Sequence, residues 1–80
     1  MVSTSALKDT LKSGKVSTLD LCNRFSCSEV EVIISLITLL NNEAKDNYSE
    51  ENLKIQISII DLLKEVSNPT LKNLISKCLS

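Results

Sequence analysis

Residues 17–40, Ser-Thr-Leu-Asp-Leu-Cys-Asn-Arg-Phe-Ser-Cys-Ser-Glu-Val-Glu-Val-Ile-Ile-Ser-Leu-Ile-Thr-Leu-Leu, read as a capped helix, a tight turn and a second capped helix. Ser17-Thr-Leu-Asp20 and Ser28-Glu-Val-Glu31 each put a hydroxyl at an N-cap and a carboxylate three residues on. That arrangement satisfies N–H groups that a helix start leaves orphaned. Val16 with Leu21, and Cys27 with Val32, fall at hydrophobic-staple positions. The second helix constrains the fold most. Val32, Leu36, Leu39 and Leu40 share one face, and Val30, Ile33, Ile34 and Ile37 form another. A helix apolar on nearly every side must be buried on nearly every side. Either the rest of the chain encloses it as a central helix, or its second face meets a partner.

The flanking sequence supplies further helices. Tyr48-Ser49 repeats the staple-and-cap arrangement, with Leu53 as the staple partner, and Asn68-Pro69 places an N-cap before a first-turn proline. Gly14 is placed to end an earlier helix in the left-handed conformation. The expected helices span 4–13, 18–25, 29–42, 50–66 and 69–79, with Asn41–Asn47 as a polar connection. The fourth competes with a strand, because Leu53-Lys-Ile-Gln-Ile-Ser-Ile59 alternates as a wing strand would. A polar stripe at Lys54, Ser58, Asp61 and Glu65, matched by an apolar one at Ile55, Ile59, Leu62 and Val66, favours helix. In the fifth helix Leu71, Leu74, Ile75, Cys78 and Leu79 share a face. One Gly and one Pro leave little turn chemistry for hairpins. The expectation is one all-α domain over residues 1–80, with about five helices and no sheet.

Charge and residue inventory narrow the function. The formal net charge of −1 hides a pattern. Lys8, Lys12, Lys15 and Arg24 outweigh Asp9 and Asp20 at the start, whereas Glu29, Glu31, Glu43, Asp46, Glu50 and Glu51 face only Lys45 in the middle. From Phe25 to Ala44 there is no Lys or Arg. A helix that reads DNA approaches phosphates, and those contacts come mainly from Lys and Arg. The chain has no His, no Gly-rich phosphate loop and no metal-knuckle spacing between Cys22 and Cys27. A non-enzyme is therefore expected, with no cofactor, metal or small-molecule substrate. Three cysteines make a poor disulfide framework, and Met1–Lys8 lacks the pattern of a secretory signal. A reduced, cytoplasmic protein is the expectation. Val30–Leu40, the longest predominantly apolar stretch, is well short of the roughly 20 residues that span a membrane and is broken by polar residues such as Ser35 and Thr38.

Residues 4–40 resemble the helix-turn-helix of the DeoR and FeoC-like winged-helix families. The resemblance rests on a first helix ending at Lys12-Ser-Gly-Lys15, on the run from Val16 to Ser28, and on Val32, Leu36 and Leu39 beyond it. It implies burial of Leu21 and Phe25, with Cys22 and Cys27 as small residues at the helix crossing and before the second cap. Ser26 stands where the turn usually has Gly, and Ile33 and Ile34 stand where DNA-reading members carry Arg or other polar groups. An aliphatic side chain can offer a base only contact with a thymine methyl. Asn47–Leu79 is faintly similar to AriR/YcgZ-type connector proteins, which implies work by engaging other regulators.

The resulting expectation is a small regulatory or adaptor protein that binds another protein, such as a transcription regulator, or a second copy of itself. Its expected interface comprises Val30, Ile33, Ile34 and Ile37 with Leu71, Ile75 and Cys78. One alternative is a helix-turn-helix transcription regulator touching DNA through Lys8, Lys12, Lys15 and Arg24, though nucleic acid is the less favoured partner. Another is a small structural subunit of a larger complex. No membrane is expected as a partner.

Overall fold

The computed structural model describes residues 3–45 and 49–79. Five helices follow one another: α1 Thr4–Lys12, α2 Thr18–Phe25, α3 Glu29–Lys45, α4 Glu50–Lys64 and α5 Pro69–Leu79. Among the described residues there is no strand, so the fold is all-α and residues 53–59 are helical.

Side-chain caps set the helix starts. Ser17 Oγ accepts from Asp20 N–H at 3.1 Å, and the Asp20 carboxylate accepts from Ser17 N–H at 3.1 Å, closing a capping box. Ser28 accepts from Glu31 N–H at 3.2 Å and Ser49 from Asn52 N–H at 3.1 Å. Asn68 Oδ1 accepts from Thr70 and Leu71 N–H at 2.9 and 3.3 Å. Ser3 starts α1 in the same way, accepting from Ala6 N–H at 3.5 Å. Each such cap contributes about 1 kcal/mol.

The turn after α2 is a left-handed C-cap. Ser26 has φ 51° and ψ 48°, and Cys27 N–H donates to Cys22 carbonyl oxygen at 3.2 Å. That bond spans the turn as in a Schellman motif, which brings the residues at its two ends together. Those residues are Cys22 and Cys27, both partly buried against the core. The end of α1 differs from the expectation placed on Gly14. Ser13, in the right-handed region, caps the helix, and its Oγ donates to Thr10 carbonyl oxygen at 2.7 Å. Gly14 follows at φ 142°, positive but beyond the left-handed helical well. Open space surrounds its missing Cβ, so the need for glycine there is one of backbone conformation alone.

Helix α3 is the centre of the bundle and packs on α1, α2, α4 and α5. Val32, Ile33 and Leu36 on α3 are at most 1% exposed. Around them close Leu7 and Leu11 of α1, Leu21 of α2, Ile55, Ile59, Leu62 and Leu63 of α4, and Leu71 and Ile75 of α5. Burial near α3 is thus supplied by the chain's own helices on most sides. The helix also runs to Lys45, through residues read from sequence as a polar connection. Glu43 is the cause visible in the structure: it turns inward, is 6% exposed, and meets Lys8 of α1. The remainder of the connection, with the Tyr48 half of its staple, lies outside the described residues.

Candidate protein-interaction surface

The residues singled out from sequence divide sharply by burial. Val30 and Ile34 are 43% and 49% exposed, on successive turns of α3. Ile33 and Ile37, from the same proposed face, are buried in the core, because α3 turns them toward its neighbours. Leu71 and Ile75 are buried too, since they seat α5 on the bundle, while Cys78 is exposed. In the folded chain Ile33, Ile37, Leu71 and Ile75 therefore leave at most 8% of their surface exposed, whereas Val30, Ile34 and Cys78 are open to solvent.

The basic residues also divide. Lys8 Nζ lies 2.9 Å from Glu43 Oε1, and Lys12 Nζ lies 2.5 Å from Glu51 Oε1. The first pair ties α1 to α3 and is partly buried; the other Glu43 oxygen, Oε2, is buried without a hydrogen-bond partner among the described residues. The second pair ties α1 to α4 at the surface. Its hydrogen bond and charge raise the Lys12 ammonium above its ordinary value and hold the Glu51 carboxyl below its own. Lys8 and Lys12 thus spend their charge inside the chain. Lys15 and Arg24 stay exposed, and neither enters an ion pair among the described residues.

The cysteines show packing geometry. Burial pushes the Cys22 thiol up, and the neighbouring Cys27 and Glu29 add to that shift. A raised thiol pKa lowers the thiolate fraction that nucleophilic and metal chemistry would use. No group of three or more His, Cys, Asp or Glu poised for a metal occurs among the described residues.

A larger apolar surface lies on α4, a helix for which no interface residue was singled out from sequence. Leu53, Ile57 and Ile60 are 45%, 59% and 39% exposed. Their spacing, i, i+4 and i+7, sets them on one helix face. The opposite face of α4 holds the core residues Ile55, Ile59, Leu62 and Leu63. Beside the outer stripe runs an open groove of about 580 Å³, bounded by the end of α1, Gly14–Val16 and the polar side of α4. Lys54 and Asp61 stand on the wall between stripe and groove, and Ile57 reaches both. The signal for this surface was present as the strand-like alternation from Leu53 to Ile59. Two helical stripes, one inward and one outward, superpose to give that alternation.

Comparison with protein-family models, with curated proteins and with solved structures found no match. No helix among the described residues is long and apolar enough to cross a membrane.

Proposed function

We propose that this chain is a small non-enzymatic regulatory or adaptor module that acts by binding protein. The observation that carries the reading is the Leu53–Ile57–Ile60 stripe, three large aliphatic side chains exposed in register on a helix whose other face already holds the core. Val30 and Ile34 add a second apolar patch on α3. Contiguous exposed apolar surface on a small domain marks an interaction site more often than scattered single residues do. The resemblance of residues 4–40 to a helix-turn-helix supports a role near transcription, with the reading helix given over to apolar residues.

Two of the four basic residues on which the DNA-binding alternative rests, Lys8 and Lys12, are already paired with carboxylates, which weighs against it. The test is titration of a labelled mixed-sequence duplex by fluorescence anisotropy, at about 50 mM and about 200 mM salt, a range over which phosphate contacts weaken steeply. The expected result is no saturable binding at either salt. Tight binding that collapses with salt would replace this reading with the DNA-binding one, through Lys15 and Arg24.

A further inference from the structure

The outer face of α4 is self-complementary in charge when the helix is turned end for end. Along that face, Glu50 stands one turn before Leu53 and Lys64 one turn after Ile60, so the stripe runs Glu50, Leu53, Ile57, Ile60, Lys64. Lys54 and Asp61 flank it on the groove side. Consider a second α4 laid antiparallel, with the two-fold axis at Ile57. Positions equally distant from Ile57 then meet. Ile57 touches the partner's Ile57, and Leu53 packs near the partner's Ile60. Glu50 faces the partner's Lys64. Lys54 faces the partner's Asp61, displaced by one residue rise of about 1.5 Å. Apart from the Ile57–Ile57 contact on the axis, each of these contacts recurs through the two-fold, as in an isologous interface.

A parallel pairing lacks this complementarity. It sets Glu50 against the partner's Glu50 and Lys64 against the partner's Lys64. The Val30–Ile34 patch lacks it as well: Glu29 and Glu31 lie beside it, and no cation occurs on the chain from Phe25 to Ala44 to meet them. Like-charge juxtaposition suppresses wrong arrangements, and attraction between opposite charges favours the right one.

We propose that two copies of this chain associate through an antiparallel, two-fold symmetric pairing of α4. The Leu53–Ile57–Ile60 stripe forms the apolar seam, and Glu50–Lys64 with Lys54–Asp61 fixes its direction. This rests on the protein-binding reading above and names the partner.

Sedimentation equilibrium of the whole chain tests it. The protein is held at about 100 μM, above the micromolar dissociation constants typical of so small an interface. The wild type is expected to sediment as a dimer and Ile57→Asp as a folded monomer, since Ile57 is 59% exposed and outside the core. Lys54→Asp and Asp61→Lys should each weaken association about tenfold, because the two-fold doubles every small pairwise effect. The double variant Lys54→Asp/Asp61→Lys should restore the dimer. A dimer that survives Ile57→Asp, or charge variants without mutual rescue, overturns the proposed pairing. A monomeric wild type overturns it too, and an anilinonaphthalene sulfonate dye then separates the two readings. Dye binding abolished by Ile57→Asp would leave α4 as a face for a different protein, while no dye binding would remove the protein-binding reading as well.

Discussion

Helices α3 and α4 both carry aliphatic residues on more than one face, and the bundle treats them differently. On α3 the neighbouring helices cover Val32, Ile33, Leu36, Ile37, Leu39 and Leu40, leaving Val30 and Ile34 outside. On α4 they cover Ile55, Ile59, Leu62 and Leu63, leaving Leu53, Ile57 and Ile60 outside. The cause is position. α3 has helices on four flanks, whereas α4 packs on α3 and α1 and lies at the edge of the bundle. Apolar periodicity reports how many faces a helix has to bury. The neighbours decide which faces are covered within the chain and which are left for something else.

Substitution of the two α4 faces gives the sharpest contrast. Ile59→Ala removes a side chain that is 0% exposed, and is expected to cost about 2–5 kcal/mol through lost burial and a residual cavity. Ile60→Ala, one residue away on the outer face, should change monomer stability by no more than about 0.5 kcal/mol. Urea denaturation of both, at a concentration low enough to suppress association, checks the pair. Equal losses would erase the distinction between the faces.

The turns give intermediate effects of opposite sign. Gly14→Ala puts a Cβ on a backbone at φ 142° and is expected to destabilise by about 1–3 kcal/mol, although nothing crowds the site. Ser26→Gly relieves a non-glycine residue at φ 51° and should stabilise by up to about 1 kcal/mol. Thermal unfolding of both variants reads the signs directly.

The smallest expected effect belongs to the Lys12–Glu51 pair, exposed on both sides and open to salt screening. Glu51 has its folded value lowered, so its contribution is present above its ordinary value of 4.5 and is lost as pH falls through the lowered one. Lys12 has its folded value raised, so its contribution is complete below 10.5 and is lost as pH rises through the raised one. Glu51→Gln should flatten the acid side of the stability profile slightly, and added salt should shrink the difference from wild type.

Much of this architecture was legible in the sequence, because caps are local. Ser17, Ser28, Ser49 and Asn68 each mark a helix start within a few residues of the chain, and each accepts the expected N–H bond. The burial of Ile55, Ile59, Leu62 and Val66 likewise follows from helical spacing. What escaped depended on contacts between distant segments. Glu43 is helical and buried because Lys8 reaches it from α1, and no pattern near Asn41–Asn47 announces that. Ile33 and Ile37 share the periodicity of Val30 and Ile34, yet their burial depends on how the other helices close around α3. The Leu53–Ile57–Ile60 stripe was masked by the inward stripe interleaved with it along the same segment. Read as two helical faces, the alternation would have located it.

The inner face of α4 holds the fold, and in the proposed pairing its outer face holds a second copy. The most direct measurement is the thermal midpoint of the wild type and of Ile57→Asp as a function of protein concentration. Binding that favours the folded state makes the midpoint concentration-dependent. The prediction is a wild-type midpoint that climbs with concentration, and an Ile57→Asp midpoint that stays level and meets the wild-type value at high dilution. Parallel curves for the two proteins, level or climbing, would contradict it.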